Sequence, residues 1–223
     1  VYEVVKKLKD AWNIGEDGIL SVTDLLESKN IKVVEIKADS SFDGLSGYVN
    51  NDENMPFVVV NKSFDVERLR FTGLHELGHL VMNLPEEMEK KDKERLCNLF
   101  ASEMLISRDI FVDVLGERRS DISLQELKVL QAVYGISVDA LMFKAKTVGV
   151  ISESKHTSFC IRKNKSLAFK DAVERSSYRG VEESSRFDRL VYRALASDMI
   201  SCSKAAVLLN EPMEEVKNKL ELV

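Results

Sequence analysis

Cysteine and proline are both scarce in this chain of 223 residues, which contains three of each. The cysteines, Cys97, Cys160 and Cys202, are odd in number and lack the regular spacing of a disulfide framework. We therefore expect free thiols and a reducing, cytoplasmic compartment. The few prolines and the ten glycines also form no low-complexity linker that would separate independent parts of the chain.

Long apolar runs and an excess of positive charge are missing as well. The segment Phe57–Val60 is among the longest apolar runs, so we predict neither a secretory signal nor a membrane span. A formal net charge of −5 excludes an overall basic field that would attract nucleic acid. What remains, with 44% hydrophobic and 31% charged residues, is the composition of an ordinary soluble globular protein.

Histidine is rare too, yet two of the three histidines lie four residues apart in a His-Glu-x-x-His motif. On a helix, His75 and His79 would lie on one face, about 6 Å apart along the axis, with Glu76 beside them. Hydrolases use this spacing to bind zinc, with the glutamate as general base toward a metal-bound water. The alternative is a pair of structural histidines on an amphipathic helix. The neighbouring apolar arc favours a helix that lines a cleft: Phe71, Leu74, Leu77, Val81 and Met82.

A hydrolytic zinc site usually has three protein ligands, and the next predicted helix, Lys93–Ile106, offers the third. Glu103 falls within the apolar stripe of that helix, where an unpaired carboxylate would be strongly unfavourable. We therefore interpret Glu103 as the third ligand. An ion pair with a nearby arginine is the alternative, and Glu94, near the polar edge of the same helix, is a weaker ligand candidate.

The first half of the sequence predicts a small sheet ahead of the motif helix. Helices are expected at 2–12 and 21–30, and strands at 31–36, 45–49 and 57–61, with Asp-Gly and Asn51-Asp52 turns between the strands. This order indicates an α+β, predominantly helical, zincin-like fold with a three-stranded sheet. The segment Gly44–Tyr48 is our candidate for an edge strand that aligns an extended peptide, with an ordinary hairpin strand as the alternative.

The second half predicts helical appendages. A capping box at Ser123 and a helix end at Gly135 precede a second helix beginning at Ser137, as in a helix-turn-helix unit. That second helix offers only Lys144 and Lys146 for phosphate contacts, so packing is favoured over DNA binding.

Farther along, alternation over 159–169 predicts a hairpin, and residues 186–223 predict helices. We therefore divide the chain into a peptidase domain at 1–116, a helical pair at 117–152 and a small C-terminal region at 153–223.

With these residues located, the chain resembles the ImmA/IrrE family of bacterial and phage zinc metallopeptidases. The resemblance covers 12–105 and rests on four blocks in the expected order: Asp43–Tyr48, Pro56–Asn61, Arg68–His79 and Asn98–Leu105. It implies Zn²⁺ bound by His75, His79 and Glu103, and a catalytic Glu76. The family usually needs a further oxyanion donor, for which Tyr48 and Arg70 are the candidate substrate-binding residues.

The resemblance also implies a partner, because members of the family cleave or inactivate helix-turn-helix repressors. We therefore expect a zinc endopeptidase that cuts a specific repressor or antitoxin-like protein and so regulates stress, phage or mobile-element genes. Two alternatives stay open at this point. One is a regulator that sequesters a repressor or toxin without cutting it, and the other is a DNA-binding regulator that uses the helical pair.

Overall fold

The computed structural model describes residues 1–49 and 54–220 of the chain. Within these residues the first helices are α1 (Tyr2–Trp12), α2 (Val22–Ser28), α3 (Val66–Val81), α4 (Lys90–Leu105), α5 (Arg108–Leu115) and α6 (Leu124–Tyr134). The remaining helices are α7 (Val138–Thr147), α8 (Glu153–Lys165), α9 (Leu167–Glu174), α10 (Arg186–Ala196), α11 (Cys202–Leu209) and α12 (Met213–Lys219). The strands are β1 (Lys32–Ile36), β2 (Gly44–Val49) and β3 (Met55–Asn61). The fold is thus α+β and predominantly helical, as predicted.

The three strands form one mixed sheet with β3 in the centre. Strand β1 runs parallel to β3, and β2 runs antiparallel to it, with Ser46 opposite Val58. Val58 and Val60 of β3 are buried in the core. The order confirms that Gly44–Tyr48 belongs to an edge strand, because β2 pairs with β3 alone among the described strands. The predicted Asn51-Asp52 turn lies outside the described residues.

Helix α3 packs on this sheet and against α4, and the two helices are held close by a small residue. A Cβ atom added at Gly78 of α3 would lie 3.2 Å from Cδ1 of Phe100 on α4. Glycine therefore lets the aromatic ring rest directly on the motif helix. The buried face of α4 also carries Cys97, Ala101 and Met104, so the helix is anchored along its length.

Helices α6 and α7 join the same hydrophobic core, and their ends follow the predicted signals. The capping box at Ser123 is present, Gly135 ends α6 with a left-handed φ of 59°, and Ser137 caps α7. Leu127 of α6 and Leu141 of α7 are buried in the cluster that also contains the core of α3.

The predicted hairpin at 159–169 is wrong, because this segment forms α8 and the start of α9. Ser166 caps α9, and the middle of the segment forms the last turn of α8, where the charges of Arg162, Lys163 and Lys165 interact favourably with the helix dipole. Phe159 and Phe169 do meet, but from two consecutive helices, with ring centroids 5.9 Å apart. Two aromatic residues ten positions apart can meet across a hairpin or between two consecutive helices. The alternation of the sequence alone therefore could not distinguish these two structures.

The chain forms two compact units, Val1–Glu182 and Glu183–Val223. The first has the large core, and the second has a small core of its own made by Val191, Leu195, Ala205 and Val216. This division differs from the expected boundaries after 116 and 152, because α6 to α9 share the main core. Three helices, α10 to α12, lie within 186–219 as predicted, with residues 221–223 outside the described part. Across the described residues, every helix is too short or too polar to cross a bilayer.

Candidate metal and peptidase site

The two histidines of the motif meet a carboxylate from the next helix. Nε2 of His75 lies 3.1 Å from Nε2 of His79 and 3.1 Å from Oε2 of Glu94. Nε2 of His79 lies 3.7 Å from Oε1 of the same carboxylate. The candidate ligand atoms of the three residues are all within 4.8 Å of one another. Helices α3 and α4 therefore bring two imidazoles and one carboxylate to a common point.

Asn98 sets the orientation of the first imidazole. Its Oδ1 lies 2.9 Å from Nδ1 of His75. When Nδ1 carries the proton and donates it to this amide oxygen, the lone pair is placed on Nε2, which faces His79 and Glu94. Asn98 lies four residues after Glu94, one turn along α4, so a single helix supplies both the carboxylate and the group that orients the histidine.

Glu76 is held from the opposite side by the edge strand. The hydroxyl of Ser46 on β2 donates to Oε2 of Glu76 at 2.7 Å. Glu76 is only 8% exposed, so this hydrogen bond fixes a carboxylate that has little water around it. The strand comes this close because Gly44 has no side chain, and a Cβ there would lie 2.7 Å from Cγ2 of Thr72.

Glu103, which the sequence suggested as the third ligand, lies elsewhere. Its Oε2 is 2.7 Å from Nζ of Lys144 on α7, and its Oε1 accepts from the backbone N–H of Arg108 at 2.7 Å. The side chains of the pair are 2% and 7% exposed. Burial lowers the pKa of Lys144, and the neighbouring Glu103 carboxylate opposes that shift. The buried carboxylate is thus compensated by a lysine, the same physical requirement that suggested a metal.

The two candidate substrate-binding residues have very different surroundings. Arg70 is fully buried and forms an ion pair with Glu182, and its guanidinium also donates to the carbonyls of Ile19 and Gly135 at 2.6 and 3.2 Å. An arginine with no exposed surface cannot contact a substrate, so its interpretation as an oxyanion donor is corrected to a structural one. Tyr48 is 50% exposed on β2, and its hydroxyl donates to the carbonyl of Leu80 at 3.2 Å, one residue from His79.

The donor set suits a divalent transition metal. Two imidazole nitrogens and a carboxylate oxygen are ligands that zinc accepts, and three electron-rich atoms crowded this closely repel one another unless a cation or proton lies between them. Cys97 lies behind the cluster, where burial, aided by the charges of Glu94 and Glu76, raises the pKa of its thiol to about 12. Among the described residues, the ligand atoms that converge are those of His75, His79 and Glu94, and the Cys97 thiol is not one of them.

Sequence reasoning missed Asn98 and Ser46 and ranked Glu94 too low. The spacing from Glu94 to Asn98 is one helical turn, so a sequence signal for this pair existed. For Ser46, the signal is alternation along β2, which places residues 44, 46 and 48 on the face toward α3.

The comparison with known families agrees with the geometry. The family model described as the IrrE N-terminal-like domain, Peptidase_M78, matches residues 26–146, a span that includes the sheet, the histidine cluster and nearly all of α7. The comparison with curated proteins gives no match. The matched span is more than half of the chain and confirms the resemblance noted from the motifs. The chain therefore belongs to the IrrE N-terminal-like peptidase family.

Proposed function

We propose that this protein is a zinc-dependent endopeptidase whose metal is held by His75, His79 and Glu94 and whose general base is Glu76. The convergence of the two Nε2 atoms with the Glu94 carboxylate is the observation that carries the proposal. Family membership supports a metallopeptidase-type function. Glu94 replaces Glu103 in the ligand set, because Glu103 already has two partners.

When bound, zinc would supply a Lewis acid that makes a water nucleophilic near neutral pH and polarises the scissile carbonyl. Residues of the chain would carry out the proton transfers and orient the reacting groups. The Glu76 carboxylate accepts the proton of the attacking water and delivers it to the departing amine. Ser46 holds Oε2 of Glu76, so that the proton is transferred from a fixed position. Asn98 keeps the Nε2 lone pair of His75 directed at the cluster.

The edge strand β2 offers a place for the substrate. It passes beside Glu76 and has one side that pairs with no described strand. An extended peptide that adds to this edge would run alongside the base and the histidines, with its backbone aligned by main-chain hydrogen bonds. Tyr48, half exposed on the same strand, is the remaining candidate for contact with the substrate.

We propose a helix-turn-helix repressor as the substrate class, on the strength of the family resemblance. The test is to incubate the purified, zinc-loaded chain with a candidate helix-turn-helix repressor, sought first among the products of neighbouring genes, and to record the masses of the products. We expect two fragments from the wild-type enzyme and none from the Glu76→Gln variant, which should retain its zinc by elemental analysis. Binding of the repressor with its mass unchanged would favour a sequestering regulator instead, and turnover by the variant would remove Glu76 as the base.

A further inference from the structure

A cavity of about 630 Å³ lies in the helical half of the first unit, among residues that the peptidase mechanism does not use. Its walls come from 119–124 and from helices α6 to α9. Neither motif histidine nor Glu94 lines it. This volume falls in the range, roughly 300–1,000 Å³, in which proteins bind small organic molecules.

The inner wall of this cavity is apolar and aromatic. Phe159 and Phe169 meet edge to face, and Leu127 and Met142 are buried beside them. A flat hydrophobic ligand would gain the most binding free energy in such a cavity, because both of its faces lose hydration and it can stack on the rings.

The rim is positively charged overall. Arg119 forms an ion pair with Glu126 at 3.0 Å, and Lys155 forms one with Asp121, so the charges of these four groups add up to zero. Arg162 is the fifth charged group of the lining. Its guanidinium carbon lies 4.0 Å from the ring centroid of Phe169. Within 1–49 and 54–220, Arg162 makes no side-chain hydrogen bond or ion pair, although its charge acts on Asp121 and helps to lower the pKa of that carboxyl group, so its N–H donors are available to a ligand.

We propose that this cavity binds a small organic anion with a flat apolar body, such as an aromatic carboxylate or sulfonate. The anionic group would accept hydrogen bonds from Arg162, and the apolar body would lie against Phe159 and Phe169. A guanidinium already stacked on a ring loses little conformational entropy when it binds, which favours recognition at this position. The proposal does not depend on metal binding or on peptidase activity.

The test uses two fluorescent probes of nearly equal shape and the full chain. Anilinonaphthalene sulfonate carries the anionic group, and N-phenylnaphthylamine lacks it. We expect the sulfonate to bind with a stoichiometry of one and at least about tenfold more tightly than the neutral probe, since one charge-assisted hydrogen bond is worth about that factor. Equal affinity of the two probes, or no saturable binding of the sulfonate, would overturn the proposal.

Variants locate the probe. Arg162→Gln keeps a planar group over Phe169 but removes the charge, so the sulfonate affinity should fall about tenfold while that of the neutral probe is unchanged. Ser158→Trp, at an exposed lining position, should block both probes. Arg193→Gln, in the second unit, is the matched control and should change nothing. Wild-type sulfonate binding by either lining variant would place the probe elsewhere and reject the proposal.

Discussion

Two glutamates on the same helix have opposite roles at the level of single residues, and substitution separates them. Glu94 faces the histidines, whereas Glu103 neutralises the buried Lys144. We predict that Glu94→Gln lowers zinc affinity by more than the roughly 10–100-fold typical of changes to groups behind the ligands. Glu103→Gln should leave zinc affinity unchanged but lower the free energy of unfolding by about 3–5 kcal/mol, because Lys144 stays buried without its partner.

The measurements are a zinc titration against a competing chelator and urea unfolding of each variant. Folding of Glu94→Gln serves as the control, since Glu94 is 41% exposed and its loss should cost little stability. If Glu103→Gln lost zinc while Glu94→Gln kept it, the ligand assignment would have to be exchanged.

In the proposed mechanism Ser46 would be a positioning residue, because its hydroxyl contacts the Glu76 carboxylate. We predict that Ser46→Ala lowers kcat by about 10–150-fold with KM and zinc content unchanged, the effect of losing a hydrogen bond to a charged group worth about 1.5–3 kcal/mol. Ser46→Thr keeps the hydroxyl and should restore most of kcat. Steady-state kinetics on any cleaved peptide would check this, and an increase in KM alone would assign Ser46 to substrate binding instead.

Among the elements, β2 and α3 approach each other so closely that one methyl group should separate them. A Cβ at Gly44 would lie 2.7 Å from both Cγ2 of Thr72 and the carbonyl oxygen of Val59. We predict that Gly44→Ala lowers the free energy of unfolding by about 1–3 kcal/mol, the usual cost of overpacking. Gly47→Ala, whose Cβ would lie 3.2 Å from the ring of Phe57, is the milder control on the same strand.

Thermal unfolding measures the difference in stability between the two variants. Activity provides a second readout, since displacing β2 also moves Ser46 away from Glu76, and Gly44→Ala should lose activity even at temperatures where it is folded. Equal stability of the two variants would contradict the prediction, because it would show that β2 can shift away from α3 without lowering the free energy of unfolding.

The elements that the sequence predicted correctly are those with local signals. The capping box at Ser123, the glycine ending α6 and the motif helix each depend on residues within one or two turns. The hairpin predicted at 159–169 failed on an ambiguous local pattern, whereas the two misassigned site residues have long-range partners. The carboxylate of Glu103 was recognised as needing compensation, but Lys144 lies 41 residues later in the chain, and no local pattern distinguishes a distant lysine from a metal. Arg70 can be buried because it pairs with Glu182, another partner that lies far away in the sequence.

At the scale of the whole molecule, the segment Arg175–Glu182 is a structural strap for the first unit. Glu182 accepts from the backbone N–H groups of Val22 and Thr23 at 2.9 Å each and forms the ion pair with Arg70. Ser176 donates to Glu67 on the same helix as Arg70. One short segment therefore ties the start of α2 to the motif helix.

Two truncations test this strap. A chain that ends at Glu182 loses the second unit, which has its own core, and should keep zinc binding and the unfolding temperature of the first unit. A chain that ends at Glu174 leaves Arg70 buried without a carboxylate and should lose about 3–5 kcal/mol. Calorimetry of both would check this, and equal stability of the two chains would contradict it.

The ion pair between Arg70 and Glu182 joins residues 112 positions apart. A ribosome releases the histidines and Glu94 long before it releases the carboxylate that neutralises the arginine one and a half turns from His75. During translation, helix α3, which bears His75 and His79, lacks the partner of its buried Arg70 until Glu182 is made. The core beside His75 thus gains this ion pair only after residue 182 has been made.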